Sequence, residues 1–434
     1  MKKITTVVLG YGDRGGKYAD YSLVCPDELE IIGVVDPLEH RRRIALEKYK
    51  FSPSMAFKGI TDFLKADVKC DLVINATMDS LHYSTTMALL NAKYNVLLEK
   101  PITNNKEELF ALESAAGKNG CALIVCHVLR YTSFYTEIKR LIESGAIGTI
   151  TSMDLSENID ILHFIKAFVR GKWRSEEMCG SGLLLQKCCH DLDLICWLND
   201  KAKPVAVSSF GHRKIFTENK APSDSTEFCY NCPEKDVCIY NAYNTEINND
   251  TIPFYTWENI HKPLDTITSE KKEEFLKHDV FGRCIYKTGM DIMDRQNLIV
   301  DFSNGSVATF TVSGHAPYLT RTIRIVGEKG VIEGDLSENK ITVAVFKPEK
   351  FEYEKKEFVI DPESFDTDEN NAVTGHYGGD YYIMKDVVQR LSGIKGSFST
   401  ATIEDSISSH LLVYAAEESR KTGKTVYLRK YYEN

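Results

Sequence analysis

Ile4-Thr5-Thr6-Val7-Val8-Leu9 is an apolar run with β-forming residues, and it leads directly into Gly10-Tyr11-Gly12-Asp13-Arg14-Gly15. A helical stretch follows, then a second apolar run, Ile31-Ile32-Gly33-Val34-Val35, that ends on Asp36, 21 residues after Gly15. This is a strand, a G-x-G-x-x-G turn, a helix and a second strand closed by an acid. Gly10 permits the tight turn, Gly12 lets backbone approach a pyrophosphate, and Gly15 lets helix and strand pack closely. The helix start, with Asp13 and Arg14 beside it, offers free N–H groups and a positive dipole end to phosphate. Asp36 is placed to accept hydrogen bonds from a ribose hydroxyl. The unit predicts a dinucleotide-binding Rossmann domain. Arg41, Arg42 and Arg43 could hold the 2′-phosphate of NADP, but Asp36 would repel it, so NAD is expected and NADP is less favoured.

The 434 residues exceed what one small core organises, and two domains are expected. With 43% hydrophobic and 26% charged residues the composition is that of a soluble globular protein. A net charge of −9 gives no reason to expect nucleic acid or an anionic membrane as partner. No apolar run approaches the roughly 20 residues needed to span a bilayer. Met1-Lys2-Lys3 runs straight into the first strand, which argues against a signal peptide and for a cytoplasmic protein.

Asp71 to Thr77 is a further buried strand, and His82 lies just inside the helix after it, a position that suits packing better than catalysis. Asn95 to Leu98 is another, ending on Glu99-Lys100-Pro101, where proline stops the strand. Lys100 therefore stands at the carboxyl end of a central parallel strand, where ligands gather. Thr77, His82, Glu99 and Lys100 complete the expected cofactor-binding set. Cys121 to Cys126 closes the first domain, giving expected domains of 1–126 and 127–434.

In the second domain, Gly180 to Asp193 (GSGLLLQKCCHDLD) carries the chemistry. As a continuous helix it would gather Lys187, His190 and Asp191 on one face by i,i+3 and i,i+4 spacing, with Asp193 nearby. Upstream, Arg170 and Trp173 lie in a loop suited to contact a sugar. Farther on, alternating strands cover residues 298–359, an acidic stretch covers 361–371, and a helix opens at 375 and runs to about Leu391. Residues 211–286 form a polar, turn-rich insertion holding Cys229-x2-Cys232-x5-Cys238 and, 46 residues on, Cys284. Four thiolates could close a tetrahedron on a structural Zn2+, and an iron–sulfur cluster would use the same ligands.

The glycine unit, Glu99-Lys100-Pro101 and His190-x-x-Asp193 together resemble the glucose-fructose oxidoreductase / inositol dehydrogenase family (Gfo/Idh/MocA), over Ile4 to about Leu391. The resemblance implies an α/β chain: a Rossmann domain followed by an α/β domain whose large, mostly antiparallel open sheet carries the substrate site and a dimer or tetramer interface. It implies that Lys100 touches both the substrate hydroxyl and the nicotinamide region, with Arg130 and Tyr131 near the substrate. In sugar-acting members a His-Gly-Gly-Gly-Asp stretch lines the pocket; here Tyr377 replaces one glycine between His376 and Asp380. The family also places an acid four residues before the histidine, where this chain has Gln186. The expected activity is NAD(P)-dependent oxidation of a secondary alcohol of a sugar, glycoside or cyclitol, with Lys100, His190 and Lys187 catalytic. The alternatives are redox-neutral glycoside cleavage through transient 3-oxidation and a nucleotide sensor that has lost catalysis.

Overall fold

The computed structural model describes residues 2–249, 251–260, 266–360 and 375–432. Six strands form the first sheet: β1 (Ile4–Leu9), β2 (Leu29–Val35), β3 (Ala56–Phe57), β4 (Leu72–Asn75), β5 (Val96–Leu98) and β6 (Leu123–Val125). All pairs are parallel and the order is β3-β2-β1-β4-β5-β6. Helices cover both faces, which is why the strands read as continuous apolar runs: Val7, Val8, Val34, Val73, Ile74 and Leu97 are all fully buried. The strand order reverses between β1 and β4, so a crevice opens at the carboxyl ends of those strands.

The second sheet has nine strands: β7 (Ile150–Asp160), β8 (Pro204–His212), β9 (Arg295–Phe302), β10 (Val307–Ala316), β11 (Thr320–Gly327), β12 (Gly330–Asp335), β13 (Lys340–Lys347), β14 (Glu352–Val359) and β15 (Val426–Tyr427). Their order is β14-β13-β12-β11-β7-β10-β9-β8-β15, antiparallel throughout except for β7 against β10. One face packs on helices Ser133–Glu143 and Cys189–Leu198 through a single large core. The other face is open, with Phe210, Ile299 and Tyr427 exposed on it. This is the expected α/β architecture.

Two late helices tie the sheets together. Gly379–Leu391 lays Ile383, Met384, Val387 and Val388 into the Rossmann core. Ile403–Thr422 begins with a capping box between Thr402 and Asp405 and ends at Gly423 in the left-handed region. Its Ile403, Ile407 and Leu411 join the first domain's core, while Leu412, Val413, Ala415 and Ala416 join the second's. Each large apolar side chain buried in this way contributes about 1.5–3 kcal/mol.

Three expectations change. The excursion from the second sheet runs over residues 213–294, because Gly211 and His212 still pair with Gln296 and Arg295. The helix expected from Gly182 to Asp193 is broken into Leu183–Gln186 and Cys189–Leu198. Residues 375–378 form a separate turn before the helix, with His376 and Tyr377 at φ of 50° and 53°. The acidic stretch 361–371 lies outside the described residues. Among the described residues no helix is long and apolar enough to cross a membrane.

Candidate functional site

Gly10 adopts φ +87°, and a Cβ there would stand 2.5 Å from Ala76 O; one on Gly15 would stand 2.1 Å from Gly10 O. Packing alone thus requires both glycines. Gly12 differs: a Cβ would meet nothing nearer than Arg41 Nη1 at 3.7 Å, so glycine there keeps open the space before helix Asp13–Ala19. Asp36, at the end of β2, accepts the Tyr11 and Leu38 N–H groups at 2.9 Å each and is fixed beside that space. Asp13 is exposed at the helix start. Thr77 Oγ1 donates to Asn75 Oδ1 at 2.9 Å, and the His82 ring nitrogens lie 2.6 Å from Pro101 O and 3.0 Å from Thr77 O. His82 therefore clips the β4 and β5 loops together. These residues fit a dinucleotide.

Arg14 and Glu99 bind one another. Arg14 Nε meets Glu99 Oε1 at 2.8 Å, and its other nitrogens meet the Asp380 carboxylate at 2.6 and 2.9 Å. Tyr18 OH and the Lys100 N–H also donate to Glu99. Burial pushes Asp380 up, but Arg14 and His376 outweigh it and hold the carboxyl far below its ordinary range. The cofactor role expected for Arg14 and Glu99, and the substrate role for Asp380, give way to a buried ion network.

The reactive groups converge at the end of β5. Lys100 Nζ donates to Gln186 O at 2.7 Å. That carbonyl is the one a continuous helix would have offered to the His190 N–H, and turning it toward Lys100 accompanies the break at Lys187 and Cys188. The His190 ring lies 5.9 Å from His376 and 6.1 Å from His127, and its buried Nδ1 has no protein partner. Burial, with Lys100, His376, His127 and Arg321 nearby, drives its pKa well below the ordinary value, so the imidazole is neutral. His376 Nδ1 stands 3.2 Å from Asp380 Oδ1. Lys187 Nζ lies 3.6 Å from Glu157 Oε1, and burial lowers its pKa against the opposing pull of that carboxylate.

Glu157 and Arg321 were not foreseen. They face each other across β7 and β11, with Arg321 Nε 2.5 Å from Glu157 Oε2 and 2.9 Å from Asp191 Oδ1. Glu157 is fully buried, and neither of its oxygens has a hydrogen bond of good geometry; Asp191 Oδ2 is likewise unpartnered. Burial raises the Glu157 pKa, opposed by Arg321 and Lys187. Both sit in apolar registers, Met153-x-Leu155-x-Glu157-x-Ile159 and Arg321-x-Ile323-x-Ile325, and a charge in such a register was the available signal. His163, half-buried near Lys187, Arg321 and Lys100, was also missed; its ring stacks on Tyr255 of the excursion at 5.7 Å.

Four substrate-facing expectations are corrected. Arg130 and Asp193 form a buried bidentate pair at 2.6 and 2.7 Å. Tyr131 OH donates to Asp386 at 2.8 Å, also buried. Arg170, wholly buried, donates to Thr245 Oγ1, Tyr240 O and Arg283 O, and so anchors the excursion to the second domain. Trp173 stays near the site, half-buried, 5.7 Å from Tyr255. Cys229, Cys232, Cys238 and Cys284 all line one cavity of about 20 Å³. Among the described residues, no three Cys, His, Asp or Glu side chains are drawn together tightly enough to grip an ion, so the expected zinc or iron–sulfur centre is not preformed.

Residues 4–127 match the oxidoreductase family's NAD-binding Rossmann fold, and residues 139–428 match the same family's C-terminal alpha/beta domain. The chain is 25% identical over 382 residues to the putative oxidoreductase YteT of Bacillus subtilis, covering 82% of each chain. It is 28% identical over 216 residues to the scyllo-inositol 2-dehydrogenase (NADP(+)) IolW of the same organism, 49% of this chain and 57% of that one. In fold it is similar to levoglucosan dehydrogenase solved with NADH, with TM-score 0.71 and 16% identity over 98% of this chain and 99% of that one. With the Rossmann crevice, the lysine at the end of β5 and both family domains in place, the chain belongs to the Gfo/Idh/MocA oxidoreductase family.

Proposed function

We propose that this protein is an NAD-dependent dehydrogenase acting on a secondary alcohol of a sugar or cyclitol. The observation that carries the reading is the convergence of Lys100, Lys187, His190 and His376 at the carboxyl end of β5. Bound NAD supplies the hydride acceptor. Lys100, held by Gln186 O, stabilises the oxygen of the reacting alcohol as its proton leaves. Neutral His190 and the depressed amine of Lys187 are the groups able to receive that proton. Glu157 and Asp191 Oδ2 are buried acceptors with spare capacity, which suits a polyhydroxylated substrate. Trp173, His163 and Tyr255 form an aromatic wall suited to a sugar ring face.

The preference for NAD rests on Asp36 and on Arg41, whose guanidinium lies 3.5 Å from Asp36 and also contacts Glu258 of the excursion. Two carboxylates already neutralise the one arginine closest to the expected ribose. The related IolW carries NADP(+) in its name, so the two cofactors are to be compared directly. The test is absorbance at 340 nm with NAD and a panel of sugars, cyclitols and aryl glycosides. NADH accumulation is expected, with Lys100→Met lowering kcat/KM by about 10²–10³-fold while NAD still binds. Aglycone release without NADH would redirect the reading to redox-neutral cleavage. Full activity in Lys100→Met would overturn the mechanism.

A further inference from the structure

Outside the active site, one cluster of reactive side chains has no role in the chemistry above. Cys229, Cys232 and Cys238 come from one short stretch, and Cys284 comes from a segment more than forty residues later. An isolated antiparallel bridge between Phe228 and Arg283 brings the two segments together, and the Cys284 N–H donates to Glu227 O at 2.8 Å. All four cysteines then border the same cavity, roomy enough at about 20 Å³ for a single small ion or water and too small for a multi-iron cluster. The Tyr240 N–H donates to the Cys238 sulfur and the Tyr286 N–H to the Cys284 sulfur, so each thiol accepts from the amide two residues on. The Arg170 guanidinium adds a buried positive charge 3.9 Å from Cys229 Sγ.

The cavity lies where two packing clusters meet. Among the described residues of the excursion (213–294), Phe216, Ile285, Met290 and Ile292 join the second domain's core, while Cys229, Ala242, Trp257, Ile267, Leu276 and Phe281 form a small separate cluster. A module of that size ordinarily needs a staple in addition to so small a core. A C-x2-C-x5-C stretch with a distant fourth cysteine supplies the ligands a tetrahedral zinc staple uses. The four thiols face the cavity without closing on one point, so binding requires their side chains to turn inward as they lose their protons.

We propose that Cys229, Cys232, Cys238 and Cys284 bind one structural Zn2+, which fastens the excursion carrying Tyr255 and Glu258 to the site. Binding replaces four S–H protons with four S–Zn bonds and involves no change of oxidation state. The test is elemental analysis of the full chain purified without chelator. About one equivalent of zinc per chain is expected, released when the thiols are titrated with a mercurial. The double variant Cys232→Ser/Cys238→Ser is expected to lose it, and Cys70→Ser to keep it. If the double variant does not fold, zinc content and mercurial release in the unaltered chain still decide the question. Zinc below about 0.2 equivalents with no uptake from added ZnCl2 would overturn the proposal. So would stoichiometric iron with visible colour, or a disulfide among the four cysteines in non-reducing peptide maps.

Discussion

Arg14, in the first turn of the helix after β1, meets Asp380 at 2.6 Å although 366 residues separate them. The glycine-rich turn of the first domain is thereby fixed to the helix that follows the His376 turn. Glu99 closes the network from the end of β5, one residue from Lys100. The distance between the glycine-rich crevice and the groups proposed to handle the proton is set by buried charges, in addition to apolar packing.

Replacing Asp380 by Asn keeps the shape and removes the charge. Arg14 is then left short of a partner, and His376 loses the carboxylate it leans on. A destabilisation of about 3 kcal/mol is expected in urea unfolding at pH 7. The Asp380 pKa is depressed in the folded chain, so its stabilisation is present above the unfolded carboxylate pKa and fades as pH falls below it. Asp380→Asn should therefore flatten the loss of stability below about pH 4. An unchanged acid limb would show that the network carries little energy.

Glu157→Gln tests the proton path. Its carboxylate pulls the Lys187 pKa up against burial, so removing the charge lets the amine titrate lower still. If neutral Lys187 takes the proton, the rise of kcat/KM with pH should move to lower pH in this variant. The maximal rate should fall by about tenfold or more as a hydroxyl acceptor is weakened. A pH profile that stays in place would assign the proton to His190 alone.

His410 gives a pH dependence of stability with a definite sign. Its Nε2 accepts the Ile102 N–H at 3.1 Å, and burial, followed by His127, holds its pKa at about 3. The unfolded chain takes up a proton at the ordinary value while the folded chain does not. Stability therefore falls as pH drops from about 6.5 toward 3, by about 2 kcal/mol at pH 5 from this residue alone. His127 and His190, also buried and depressed, act in the same direction. Denaturant midpoints at pH 7.5 and pH 5 measure the difference, which His410→Gln should reduce.

Cofactor choice is expected to follow the charges around Arg41. The double variant Asp36→Ser/Glu258→Gln removes both carboxylates near that guanidinium. It should shift the ratio of kcat/KM for NAD over NADP toward NADP by about 10²-fold. Initial rates with each cofactor at saturating substrate would show this directly.

The first domain was legible because its βαβ unit is local: glycines, strand ends and acid lie within forty residues of one another. Lys100 was legible for the same reason, standing where a strand meets proline. The second half of the site depends on pairings across long separations. Arg130 and Asp193, or Arg170 and Thr245, look like free polar groups until the fold buries them against each other. Glu157 and Arg321 went unread because strand alternation was followed only for its apolar members. The break at Lys187 also escaped, since local spacing favours a continuous helix and the competing donor, Lys100, lies 86 residues from Gln186.

Helix Ile403–Thr422 contributes side chains to both cores, and Thr402 just before it bridges to Ile124 at the edge of the first sheet. During vectorial synthesis the Rossmann strands emerge first, but the surface this helix covers stays bare until residues 403–422 have been made. The nascent first domain thus presents an unfinished apolar flank while strands β7 to β14 are being made. A chain arrested before residue 403 should be held by chaperones rather than released as a working cofactor-binding module.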